Sequence, residues 1–255
     1  MKYLAKHLSI RGLLVLFLFL SLIFKPANDK AKSNSVSNSL PPSFKENRVS
    51  TRHWEELAQK LPLQFEQNPN QLEAGVKFLA RGRGYNIFLT QAATTLTLQP
   101  SSAESGEWEG SHPATKPDST KMASISLKLI EANPNSTFEG LDQLPGKTSY
   151  FWGNDSAQWH SGISNYRRVR NRNIYPGIDV IYYGNQQQLE YDFIVAAGAD
   201  LGQIQLQFEG AGQLQLDANG DLLVKTAIGE LRQHKPRIYQ EVTGSKREID
   251  GGYRI

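Results

Sequence analysis

The chain is predicted to be all-β: an antiparallel β-sandwich built from successive hairpins, behind an N-terminal signal or anchor helix and a disordered linker. Three observations predict it. After Lys60 the apolar residues recur at spacing two in short runs, with no long 3.6-residue periodicity. Gly, Asn and Pro punctuate those runs at hairpin distances. The 255 residues include no cysteine, 21 Gly and 12 Pro, and that length buries a core without disulfide staples. The missing cysteine also excludes zinc knuckles, iron–sulfur sites and a thiol nucleophile.

Residues 1–27 read as a signal peptide or signal-anchor. Lys2, Lys6 and Arg11 precede a twelve-residue apolar run over 13–24 (LLVLFLFLSLIF), stopped by Lys25 and Pro26. A positive n-region before a short h-region is the layout of a secretory signal. Twelve residues are short for a full span, which needs about 20. No clean A-x-A cleavage site follows, so an uncleaved anchor stays open beside a cleaved signal. No twin-arginine pair is present, which points to the general secretory route. The chain is therefore expected to be exported, touching a membrane only through this segment.

Residues 28–60 are rich in Ser, Asn and Lys around Pro41-Pro42, too polar to order themselves. They read as a linker, with a short helix over 51–60 (TRHWEELAQK) carrying Trp54, Leu57 and Ala58 on one face. The β domain then occupies 61–255. Residues 76–80 (VKFLA), 85–90 (YNIFLT) and 94–99 (TTLTLQ) read as antiparallel strands. Residues 100–121 read as a mobile loop. Residues 123–130 (ASISLKLI) alternate strictly.

The second half continues as hairpins. Residues 178–183 meet 189–195 across Gly184-Asn185. Residues 203–208 alternate Gln with apolar residues. Residues 213–216 meet 222–226 across Asn219-Gly220, a type I′ signal. Residues 229–234, 237–242, 246–249 and 252–255 complete the series. The hairpins share no fixed period, so no propeller or solenoid is read from this chain.

The net charge of +3 invites a nucleic-acid partner, but its distribution withdraws the invitation. Residues 1–32 hold six of the 28 Lys and Arg and one of the 25 acids, leaving 22 basic and 24 acidic residues, a net of −2. The basicity belongs to the targeting segment, where positive charge sets orientation. The run YRRVRNR over 166–172 interleaves cations and rings. Internal pairing with nearby acids is the favoured reading of it.

The candidate chemistry sits on the 178–195 hairpin. With Gly184-Asn185 as the turn, Asp179 opposes Glu190, and Asp192 lies two residues along. Paired carboxylates perturb each other's ionisation and could serve a retaining glycosidase, whose carboxyls stand about 5–5.5 Å apart. A calcium site is a second option. The favoured reading is a structural ion network in which Arg168, Arg170 and Arg172, on one side of a strand, neutralise Asp179, Glu190 and Asp192. No catalytic residue is assigned beyond the pair Asp179 and Glu190, and no cofactor or metal is called for. Trp152 and Trp159 could stack on sugar rings; a core aromatic cluster beside a helical turn capped by Asn154 or Asp155 is the favoured alternative. Arg81-Gly82-Arg83-Gly84 reads as a turn, because no helix follows it. Residues 217–221 (DANGD) fit a hairpin better than a calcium loop. No G-x-S-x-G elbow is present.

Taken together, the motifs 63–71 (LQFEQNPNQ), 76–90, 144–159 (LPGKTSYFWGNDSAQW), 169–195 with its core YPGIDVIYYGNQQQLEYDFIV, and 204–241 ending in KPRIYQE resemble a known domain. It is the uncharacterised domain that precedes SBBP-type β-propeller repeats in large exported bacterial proteins. The resemblance covers most of 61–255. It implies export, a β-rich fold and a role in a cell-surface or secreted assembly, with a β-propeller or other surface domain as partner. It assigns no catalytic residue: Asp179, Glu190, Tyr191 and Asp192 match the pattern without a role. The chain departs from it at Asn70 in Asn68-Pro69-Asn70-Gln71, at Ser156 and at Ala197. Relatives continue into repeats, so a truncated or stand-alone copy is expected. The resulting expectation is a non-catalytic exported module for adhesion or packing against a partner domain. The alternative is a carbohydrate-binding or glycosidase module, with a glycan as ligand.

Overall fold

The computed structural model describes residues 2–3, 13–21, 62–68, 75–82, 85–98, 123–151, 153–185, 188–226, 229–242 and 245–255. The first strands are β1 (Lys2–Tyr3), β2 (Leu13–Ser21), β3 (Phe65–Gln67), β4 (Val76–Gly82), β5 (Tyr85–Thr90), β6 (Ala93–Leu98) and β7 (Ala123–Leu129). Two long strands follow, β8 (Thr137–Tyr150) and β9 (His160–Tyr175), then β10 (Ile178–Asn185) and β11 (Gln188–Val195). The remainder are β12 (Leu206–Glu209), β13 (Gln213–Leu216), β14 (Leu222–Thr226), β15 (Gly229–Gln233), β16 (Arg237–Val242), β17 (Ser245–Ile249) and β18 (Tyr253–Arg254). Single 3-10 turns stand at Ser156–Gln158 and Leu201–Gln203, each N-capped by an aspartate, Asp155 or Asp200. No helix among the described residues is long and apolar enough to cross a membrane.

The domain is all-β and antiparallel, as its alternating runs predict, but the two separate sheets of a sandwich are replaced by one. Among the described residues, sixteen strands form a single curled sheet in the order β12-β7-β6-β5-β4-β3-β9-β10-β11-β2-β15-β14-β13, with β8 beside β9, β16 beside β2 and β17 beside β16. β1 and β18 form a separate pair. Strand twist lets so large a sheet curl until its halves face each other. Tyr175 donates its hydroxyl to the Ile130 carbonyl at 2.8 Å, and Asn133 N donates to Ile174 O at 2.9 Å. The Phe78 ring meets Phe138 and Tyr166 at centroid distances of 6.1 and 5.9 Å. The core between the halves draws on Phe65, Ile87, Leu89, Leu96, Val180, Tyr191 and Phe193, each at most 1% exposed.

The predicted N-terminal helix is also corrected. Leu13–Ser21 is a strand, antiparallel to β11 on one edge and to β16 and β15 on the other. A short continuous apolar run carries no period, so helix and central strand cannot be separated from sequence alone. Here the sheet offers unpaired edges on both sides, which decides the matter. The rest of the apolar run, the linker with its helix over 51–60 and the loop at 100–121 lie outside the described residues.

Two turns differ from expectation. β10 runs through Gly184 to Asn185, and Asn185 pairs with Gln188, so Gly184 and Asn185 are ladder residues and not the turn. Gly184 serves close approach instead of turning: a Cβ there would stand 2.4 Å from Leu63 Cβ and 2.7 Å from its backbone nitrogen. At 217–221, Gly220 alone has positive φ, +84°, and Asp217 Oδ1 accepts from the Asn219 and Asp221 amides. That is an Asx-supported turn closed by a left-handed glycine, not the type I′ turn, which needs positive φ at two residues.

Candidate functional site

The arginine-bearing face is built by β9. Alternation places Arg168, Arg170 and Arg172 on one side of the strand, while Val169 and Asn171, 0% and 1% exposed, face the other. Each arginine meets its own acid. Arg170 binds Asp179 through Nη2 at 2.5 Å and Nε at 3.0 Å. The other Asp179 oxygen accepts from the Asn173 amide at 2.7 Å, holding that residue at φ +54°. Arg168 Nε donates to Asp142 at 2.6 Å. That hydrogen bond, reinforced by the guanidinium charge, keeps the Asp142 carboxyl below the usual carboxylate range. Arg172 lies 3.7 Å from Glu139. Asp142 and Glu139, on the adjoining β8, were not foreseen as partners.

The predicted carboxylate pair is not formed. Asp179 stands opposite Ile194, and Glu190 stands opposite Tyr183, a register four residues away from the expected one. A displaced turn causes this: moving it two residues along the chain shifts every cross-strand partner by four. Glu190 and Asp192 instead share the face of β11 opposite Leu189, Tyr191 and Phe193, and are only 4% and 8% exposed. Neither has an ion-pair partner among the described residues. Tyr183 donates its hydroxyl to Asp192 Oδ1 at 3.0 Å, and Asn185 Nδ2 donates to Glu190 Oε1 at 2.9 Å. Burial pushes Asp192 up from 3.8 to about 7; the Tyr183 bond opposes this and the Glu190 charge adds to it. Burial, with the two acids beside it, holds the Tyr183 phenol far above its usual range. Tyr183 and Asn185 carry no motif, and Asn185 gave a turn signal instead.

The aromatic candidates divide. Trp152 lies outside the described residues. Trp159 is 45% exposed, donates its indole N–H to the Gly153 carbonyl at 3.3 Å, and packs edge-on against the 63%-exposed Phe151 at 5.4 Å. With Gln67, His160, Ser161, Gly162, Ile163 and Ser164, Trp159 borders a depression of about 510 Å³. None of the candidate acids lines it.

A third cluster gathers at the 217–221 turn. Arg232 Nη1 contacts Asp217 at 2.5 Å and Asp221 at 3.1 Å, His234 Nδ1 lies 3.0 Å from Asp221, and the Lys235 amide donates to Asp221 at 2.8 Å. Burial would raise Asp221, but the Lys235 amide, Arg232 and His234 outweigh it and hold the carboxyl below its ordinary value. These oxygens are committed to protein donors, as a hairpin reading of the segment requires. No group of three or more His, Cys, Asp or Glu suited to a metal occurs among the described residues.

One curled antiparallel sheet, with Asp142, Glu139 and Asp179 paired to the arginines of β9 and two further acids buried, defines an all-β domain with no assigned chemistry. The chain belongs to the family described as a domain of unknown function, DUF7948, whose model matches residues 65–255. No curated protein and no solved structure matches the chain.

Proposed function

We propose that the chain is an exported, non-catalytic β-rich module that packs against a partner domain at the bacterial cell surface or in a secreted assembly. The observation that carries this reading is the separation of the candidate acids. Asp179 is committed to Arg170 and to the Asn173 amide, on a register that keeps it from Glu190. A retaining pair needs two carboxyls about 5–5.5 Å apart across a cleft. The basic flank and apolar run at the N-terminus support export, and the motif resemblance supports SBBP-type β-propeller repeats as the partner class.

Export is tested by expressing the full chain in a bacterial host with a C-terminal reporter enzyme that is active only outside the cytoplasm. Reporter activity and a non-cytoplasmic fraction are expected; a cytoplasmic, inactive fusion would overturn the reading. Carbohydrate binding is the second reading, favoured by the exposed Phe151–Trp159 pair beside the depression. A glycan array separates the two: glycan signal lost in Trp159→Ala favours sugar recognition, and an array without signal favours packing.

A further inference from the structure

We propose that the slot between β11 and the β15–β16 edge is a strand-acceptor site, filled in the exported chain by a β-strand donated from a partner polypeptide. That strand is apolar at alternate positions and carries lysine, arginine or amide side chains at the positions between. Vacating the slot rests on the export reading; the slot itself is a feature of the described fold.

Leu13–Ser21 marks the slot. Residues 14–20 pair with β11, residues 13–17 with β16, and residues 20–21 with β15, antiparallel throughout. β11 and β16 therefore run parallel, two strand spacings apart, about 9.5 Å. They cannot hydrogen-bond to each other without a strand between them. Removing residues 13–21 with a leader would leave two facing, unpaired edges, each a template for another chain. Adding an extended segment to such edges is an established mode of peptide recognition.

The walls are tied together independently of that strand. Gln233 on β15, 0% exposed, donates its amide to the hydroxyls of Tyr191 on β11 and Tyr253 on β18, both at 2.8 Å. Tyr253 in turn donates to the His234 carbonyl at 2.7 Å. Side chains thus span the slot on its core side and hold its width.

The walls also specify the occupant. On the core face they present Leu189, Tyr191, Phe193 and Val195 from one side and Ile238 from the other, all buried. On the opposite face they present Glu190 and Asp192, buried and without an ion-pair partner among the described residues. On that face Tyr183 lies beside the acids, and across the slot the register puts Arg237, Tyr239 and Glu241 of β16 and Arg232 of β15, the last paired to Asp217 and Asp221, on the same side. Phe19 and Phe17 stand in register with Glu190 and Asp192. Phenylalanine offers a carboxylate no donor, whereas lysine or an amide at those positions does. The leader strand therefore fits the slot in length and direction, while its sequence carries no side-chain hydrogen-bond donor at the two positions in register with the acids.

The test uses the full chain with a specific protease site placed at Pro41-Pro42. After cleavage, two labelled peptides compete for the slot: residues 13–21, and the same peptide with Phe17→Lys and Phe19→Lys. Both carry terminal lysines for solubility. The expected result is release of the leader fragment, seen by mass, and capture of the lysine peptide. Amide exchange over 189–195 and 237–241 stays protected, and the lysine peptide binds about tenfold tighter, the gain expected of one charge-assisted contact. Asp192→Asn combined with Glu190→Gln should remove that preference, with the far-ultraviolet β signal unchanged. Failure of the lysine peptide to enter, equal binding of both peptides, or loss of the β signal on cleavage would overturn the proposal. So would a concentration-dependent dimer with protected slot amides, which would assign the slot to a second copy. The N-terminal mass of the exported chain reads the other premise alone: an intact leader overturns export while leaving the exchange result standing.

Discussion

Asp192 shows how one buried side chain sets a pH response. Its folded pKa is raised from 3.8 to about 7, so the folded chain binds that proton more tightly than the unfolded chain does. The resulting stabilisation is fully present below about pH 4 and is lost as pH rises through about 7. Denaturant unfolding should show a loss on the order of 2–4 kcal/mol between pH 4 and pH 8. Asp192→Asn should flatten that slope and be the more stable protein at pH 8. Asp179 makes the opposite case. Asp179→Ala strands the Arg170 guanidinium and the Asn173 amide together, and should cost about 2–3 kcal/mol. Arg172→Ala breaks a 3.7 Å contact between side chains about half exposed and should cost less than about 0.5 kcal/mol. Thermal unfolding of the two variants separates them.

Among the elements, the legible ones were those with a buried and a solvated face. β5, with alternating burial, and β13, β14 and β16 have the bounds their patterns predict. β8 was not legible. Its residues are largely exposed along both faces, Asp142 has φ +54°, and its sequence contains Gly140, Pro145 and Gly146. It is a strand because β9 offers it an edge, which no local pattern records. The candidate site shared this limit. The one-sided arginine face followed from alternation, but the partners of those arginines depended on register and on β8. Gly184 was misleading because glycine signals both turning and close approach, and only the position of Leu63 separates them. Gly184→Ala is expected to cost about 1–3 kcal/mol by overpacking against backbone, measured by urea unfolding, with Leu63 as the residue displaced.

For the whole molecule, the curl makes β2 a central strand held on both edges. Leu16→Pro should therefore raise amide exchange over 189–195 and 237–241 while leaving 85–98 protected, because a proline removes a ladder bond and the two halves of the sheet open separately. Hydrogen-exchange mass spectrometry reads both regions in one experiment.

The same connectivity carries a consequence in time. β2 leaves the ribosome well before its partners on β11, β15 and β16, which lie about 170 or more residues further along the chain. At about 5–20 residues per second, some 10–45 s pass before the partner strands exist. Throughout that interval the strands that flank it in the folded sheet are absent, and both edges of the apolar segment are open to other binders. Synthesis order alone thus leaves the apolar segment exposed until the last strands of the curled sheet arrive to close on it.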